Sequence, residues 1–412
     1  MLAIALMKSS ARVENVAFGN GASRGKKRMG VADVLLATFF LANFFLRMLP
    51  VAPIVMNAFV GCIGVMLLFY VAVTERTGTA PVAILLYCLV ASVFMAASLL
   101  YNGNSGIEDL VWVWAYAGPL SIMITKKISY RCFKAIFYIF ALFVLALAAL
   151  GVDESSILTN TNRNFLSATA LLFVALYYIT LKRQEGRVYL LPALLAAAVC
   201  VYGSGRSGVL AAVLLVFVVG LAYLVSERGL TLFRAFVLIV LFVVGVGIIA
   251  TTLSDSIEYL FTRFDREGLE SSRQFIWAEY LSAALSSPGN ILFGAPADAS
   301  AGFYVARFMG NLHNSFLMLH ARFGIMGFAF VAIGLIAVFR ALLVRREFFV
   351  AALLGILVFR SLLDWLAFPG PYDPMFLYFL FSALGVCGVT ASSGWMADEG
   401  TVGGGVRGEV LS

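Results

Sequence analysis

Charge and histidine are scarce in this chain: charged side chains make up 12% of its 412 residues, and only two residues are histidine. With 62% hydrophobic residues against that 12%, there is more apolar surface than one globular core hides, which excludes a water-soluble globule and requires lipid as the remaining solvent. Cysteine is equally uninformative as a ligand. Cys62, Cys88, Cys132, Cys200 and Cys387 form no CxxC pair, so neither a disulfide framework nor a zinc site is supported. No internal repeat is visible, which disfavours transporters built from duplicated halves. A cleavable signal peptide is not expected, because "MLAIAL" is too short and precedes its positive charges. Nothing points to a nucleic-acid partner.

What is present is a series of uncharged apolar runs, each near the roughly 20 residues that a helix needs to cross a hydrocarbon core of about 30 Å. They fall at 32–49, 53–74, 80–101, 108–125, 132–151, 164–181, 188–203, 208–226, 232–253, 325–344, 348–366 and 374–391. The expected fold is therefore all-α, a polytopic transmembrane bundle of about 12 spans. Flexible tails at 1–30 and 392–412 flank helices at 31–253 and 324–391, with a large outer loop at 254–323.

Lysine and arginine set the orientation, since they stay on the cytoplasmic side during insertion. With the N-terminus inside, twenty of the 29 basic residues fall on cytoplasmic segments, and both termini are cytoplasmic. Every lysine is on that side. The nine outer bases are all arginine: Arg47, Arg163, Arg206, Arg263, Arg266, Arg273, Arg307, Arg322 and Arg360. A planar guanidinium grips phosphate oxygens bidentately where lysine offers a point charge, although Arg263, Arg266 and Arg307 fit solvated loop charges as well.

In the outer loop, "SSRQFIWAEYLSAALSSPGN" predicts a helix capped by Ser271 or Ser272, with apolar residues Phe275, Ile276, Tyr280 and Leu281 at helical spacing and a stop at "SPGN". Both histidines lie in "GNLHNSFLMLHARFGIMG", residues 310–327. A helix starting near Leu312 would put His313, Phe316, Leu317 and His320 on one face. His313, beside Asn314 and a glycine turn, is the candidate base, because imidazole titrates close to neutral pH. His320 reads as an interfacial neighbour. Arg360 and Asp364 are four apart on one face of a span, and serve either helix packing or substrate binding.

"LHNSFLMLHARFGIMG" resembles the His-Asn segment and Gly-x-x-Gly helix start of the bacterial O-antigen ligase and O-antigen or exopolysaccharide polymerase family. "NTNRNFLSATALL", "GSGRSGVLAAVLL" with Arg206, and "SSRQFIWAEYLSAALSSPGNILFGA" with Arg273, Trp277 and Gly294 are similar to further family segments in the same order. The resemblance covers roughly residues 155 to 390. It implies a glycosyltransferase of the bacterial inner membrane that moves an undecaprenyl-diphosphate-linked glycan onto an acceptor sugar hydroxyl at the periplasmic face. Membrane lipids and a chain-length regulator are further implied partners.

On this reading His313 takes the acceptor's proton while Arg206, Arg273 and Arg266 hold the departing diphosphate, with inversion at the anomeric carbon. Asn314, Arg322, Arg360 and Asp364 support them. Arg206 has an alternative as a simple turn residue, and Arg273 as a first-turn surface residue. The first outer loop, "RMLPVAP", has no acid to hold a divalent ion, so neither metal nor other cofactor is expected. A large loss of activity on chelation, reversed by added metal, would contradict this. Polymerase is the first reading. A ligase acting on a lipopolysaccharide core and a transporter of lipid-linked glycan are the alternatives.

Overall fold

The computed structural model describes residues 29–75, 79–104, 106–159, 161, 163–226 and 273–384. The described residues are helical, without strands. In order they form α1 (Val31–Phe45), α2 (Pro53–Thr74), α3 (Thr79–Asn102), α4 (Ile107–Thr125), α5 (Tyr130–Ala149), α6 (Glu154–Ile157), α7 (Asn164–Glu185), α8 (Leu191–Tyr202) and α9 (Arg206–Ser226). After the undescribed stretch come α10 (Arg273–Leu285), α11 (Pro288–Phe293), α12 (Phe303–Arg307), α13 (Ser315–Val344), α14 (Phe348–Leu362) and α15 (Asp373–Ala383). The expected span at 232–253, Arg263, Arg266, the caps Ser271 and Ser272, and both tails lie outside the described residues.

Among the described residues, seven helices are long and apolar enough to cross a membrane: α1 with its 3-10 extension to Met48, α2, α3, α5, α7, α9 and α13. The chain is a multi-pass membrane protein. α8 and α14 are apolar but shorter, at 12 and 15 residues.

One helix differs from the rest. The apolar window of α7 is 94% buried, whereas those of the other six are 22–39% buried. A helix hidden on every side must be central, and α7 packs against α5, α8, α9 and α14. Edge-to-face rings lock it in place: Phe173 meets Phe40 of α1 at 5.7 Å and Phe140 of α5 at 5.4 Å. The outer helices turn large apolar side chains such as Phe69, Val82 and Phe217 away from the protein, as lipid contact requires.

α10, α12 and the start of α13 form a small second core around Ile276, Tyr280, Val305, Leu312 and Met318. This core is seated on α13 by two interlocking glycines. Gly324 (φ +63°) breaks α13, and a Cβ there would strike the Leu292 carbonyl; one at Gly294 (φ +90°) would strike the Ala321 carbonyl. Asn102, at the end of α3, donates to the Gly294 carbonyl at 2.6 Å, and Asn104 donates to that of Ala321 at 3.0 Å.

Two expectations are corrected here. The helix expected to begin near Leu312 begins three residues later, at Ser315, and beyond the break at Gly324 leads into the apolar run expected at 325–344. The Asn314 side chain accepts from the N–H groups of Phe316 (2.9 Å) and Leu317 (3.1 Å), and this cap sets the boundary. His313 therefore lies outside the helix and does not share a helical face with His320. The run expected at 348–366 is helical only to Leu362, so Asp364 lies in the connection after α14.

Candidate functional site

A cavity of about 900 Å³ opens at one end of the bundle. It is walled by the C-terminal end of α1, the N-terminal ends of α2, α4 and α7, and the connection after α14. Arg47, Asn57, Glu108, Asp109, Trp112, Asn164, Asn311, Arg322, Asp364 and Trp365 line it.

Ser315 explains how His313 and Asp364 come together although 51 residues of sequence separate them. Its fully buried hydroxyl donates to the Asp364 carbonyl at 2.9 Å and accepts from the N–H groups of Leu366 (2.9 Å) and Ala367 (3.2 Å). The start of α13 is thereby pinned to the connection after α14. His313 Nδ1 then stands 3.5 Å from Asp364 Oδ1, within reach of a charge pair and longer than a good hydrogen bond. The backbone of His313 is left-handed (φ +48°), a conformation that disfavours most side chains and is held here by the Asn311 side chain accepting from the His313 N–H at 2.9 Å. The ring edge also meets Phe308, with centroids 5.3 Å apart.

Behind Asp364 lies Arg360, with no exposed surface. Both its terminal nitrogens donate to Asp364 Oδ2 at 3.2 Å, and one reaches the Asn164 carbonyl at 3.4 Å. Burial alone would raise the Asp364 carboxyl, but His313 and the positive charges of Arg360 and Arg273 together hold it below the usual carboxylate range. Arg273, the first residue of α10, is thus close enough to Asp364 for its charge to be felt.

Arg322 forms a buried pair with Asp109 of α4 and lies over the Trp365 ring, 4.1 Å from its centroid. Its Nε has no hydrogen-bond partner, nor does the indole N–H of Trp365. Arg206 opens α9 and is half-buried. The "GSGRSG" turn lies against the start of α7, where a Cβ on Gly205 would strike the Asn164 side chain and one on Gly208 the Ser167 hydroxyl. This places the start of α9 beside the same end of α7 that lines the cavity.

The structure therefore brings His313, Asp364 and Arg360 into one cluster, with Arg322 on the adjoining wall and Arg273 near enough for its charge to act on Asp364. Arg206 sits at the same end of the bundle. Asn314 is a helix cap, and Arg307 is exposed at the end of α12. Arg266 is outside the described residues. Of the cavity residues, Asn57, Glu108, Asp109, Trp112, Asn311 and Trp365 were not singled out by sequence, nor was Ser315 buried beside them. The acids Glu108 and Asp109 read as ordinary first-turn residues of a helix, and Ser315 gives no signal beyond its place after the cap. His320, expected as an interfacial neighbour, is a structural residue. Its Nδ1 meets the Tyr280 hydroxyl at 2.7 Å and its Nε2 meets the Ile291 carbonyl at 3.1 Å, tying α10 and α11 to α13.

Among the described residues no three His, Cys, Asp or Glu side chains gather to hold a metal ion. The cluster has one ring nitrogen facing a fixed carboxylate, several guanidinium groups and unpaired N–H donors. That set suits proton removal from a hydroxyl beside a group gaining negative charge. Neither a curated protein nor a solved structure matches the chain. Residues 191–332, which run from α8 into α13 and carry Arg206, Arg273, His313 and Arg322, match the family model described as O-antigen ligase, so this segment of the chain is similar to that family.

Proposed function

We propose that this protein is a polysaccharide polymerase of the bacterial inner membrane, transferring an undecaprenyl-diphosphate-linked glycan to an acceptor sugar hydroxyl at the periplasmic face. The observation that carries this reading is the His313–Asp364 pair, 3.5 Å apart, at the edge of the cavity and backed by Arg360. The twelve-span topology with both termini cytoplasmic belongs to the same reading. It is supported by the distribution of charge: Lys126 and Lys182, with the Arg183–Glu347 pair at 2.7 Å, lie at helix ends opposite the cavity.

In the proposed reaction Asp364 orients the His313 ring by facing Nδ1, so that a proton on Nδ1 leaves the lone pair on Nε2. Nε2 takes the proton of the acceptor hydroxyl as its oxygen bonds to the anomeric carbon. The bond from that carbon to the lipid diphosphate breaks, and its electron pair goes to the diphosphate oxygen. Arg206 and Arg273, with Arg266, stabilise that charge, which removes the need for a metal ion. Attack opposite the leaving group inverts the anomeric configuration.

A ligase is the second reading, favoured by the description of the matched family, and it would use the same donor and residues. Glycan banding separates the two. In a deletion strain complemented with His313→Ala protein at equal membrane expression, a polymerase loses long chains while single repeats still reach the carrier. A ligase loses all glycan from lipopolysaccharide and accumulates long lipid-linked chains. Unchanged glycans would remove the role of His313 and return the transporter reading.

A further inference from the structure

One wall of the cavity lies outside the segment that matches the family, and its chemistry differs from that of the His313 side. Asn57 on α2 and Glu108 at the start of α4 meet at 3.4 Å. Trp112, one helical turn beyond Glu108, stacks one face on Tyr116 at 5.2 Å with 18° between the planes. Arg47 closes the wall from the end of α1, its guanidinium 4.4 Å from the Phe165 ring centre and 5.8 Å from that of Trp112. The wall thus combines a flat aromatic ring, a carboxylate acceptor, an amide that both donates and accepts, and a guanidinium donor.

A pyranose ring is divided in the same way. Its C–H face is apolar and flat enough to lie on an aromatic ring, and its rim carries hydroxyls that each donate and accept. A phosphate fits this wall poorly, because Glu108 would repel it. Adjoining the wall, Arg322 is paired with Asp109 and lies over the Trp365 ring, so it adds a fixed positive charge beside the wall. The cavity volume, about 900 Å³, is that of a small-molecule site with room for more than one sugar.

We infer that the wall formed by Arg47, Asn57, Glu108 and Trp112 is a glycan subsite that binds a neutral pyranose ring and sets which sugar is joined. The inference rests on the proposed glycosyl transfer for the identity of the ligand. The same chemistry serves a sugar of the acceptor or of the donor.

The test uses purified full-length protein and, as probe, the free oligosaccharide repeat released by mild acid from the source strain's own lipid-linked glycan. Isothermal titration is expected to show saturable binding to the wild type, weakened about tenfold by Glu108→Ala and by Asn57→Ala. Both positions carry accessible side chains whose loss leaves the helices intact, and Trp112→Phe should keep most of the affinity by keeping a ring. His313→Ala protein should still bind the probe. A raised KM for the acceptor in the Glu108 and Asn57 variants assigns the wall to the acceptor, and a raised KM for the donor assigns it to the donor's glycan. Absence of saturable binding to the wild type, or unchanged affinity in both alanine variants, overturns the subsite. Neither result bears on the proposed transfer itself, which the banding of the His313→Ala strain tests separately.

Discussion

The turn that carries His313 and the helical turn that carries His320 lie seven residues apart and put the same side chain to opposite uses. His320 has both ring nitrogens engaged, one by a tyrosine hydroxyl and one by a backbone carbonyl, and its work is to fasten two short helices to α13. His313 is held in a left-handed backbone, and its Nδ1 faces a buried carboxylate without a full hydrogen bond. Satisfied polar groups stabilise a fold, whereas strained and incompletely satisfied ones persist where the surroundings impose them and a reaction uses them. The comparison separates a structural histidine from the candidate base more sharply than burial does, since both are only partly exposed.

The largest effect should come from His313→Ala, with turnover falling about a thousandfold in single-turnover assays while the thermal midpoint stays close to wild type. A comparable loss of thermal stability would place His313 beside His320 as a structural residue. Asp364→Asn comes next. It should lower turnover about a hundredfold and destabilise the protein by about 3 kcal/mol, because Arg360 is then buried without a counter-charge. The double variant Asp364→Leu with Arg360→Met should recover much of that stability without recovering turnover, which distinguishes orientation of His313 from support of the fold.

The depressed Asp364 carboxyl adds a pH dependence to the same pair. Its folded value lies below its unfolded value, so its contribution to stability is complete above the ordinary carboxylate value, about pH 4, and is lost as pH falls through the depressed value. Thermal melts between pH 5 and 8 should therefore show no loss of stability from Asp364, and a loss within that window that is absent from Asp364→Asn would contradict the assignment. A smaller effect is expected of Arg273→Lys and Arg206→Lys, each lowering turnover about tenfold, because an ammonium keeps the charge and loses the bidentate geometry. The smallest is that of His320→Ala, which should cost about 1 kcal/mol and leave turnover within a few-fold of wild type.

Much of the candidate cluster was legible because local pattern marks it. A histidine followed by a capping asparagine, an arginine in a glycine-serine turn, and an Arg–Asp pair four residues apart are all short-range signals. The same stretch was misread in detail. Asn314 is a strong N-cap, so "HNSF" already contains the cue that the helix begins after His313; apolar spacing drew the boundary three residues too early. The pairing of Arg322 with Asp109 had no such cue, since 213 residues separate them and each reads as an ordinary charge at a helix end. Ser315 was invisible for a related reason: its hydroxyl matters through the backbone of residues 364–367, which nothing nearby in the chain announces.

The sequence by itself determined that the chain is a helical membrane protein, and its charge distribution predicted the end of the bundle at which arginine gathers. Hydrophobic run length and charge are summed along the chain, and a bilayer reads them locally. Which of those arginines share a cavity, which histidine faces a carboxylate, and which side chains form the opposite wall were decided only by tertiary packing around α7. Such contacts depend on the relative placement of helices distant in sequence, and no local periodicity encodes that placement.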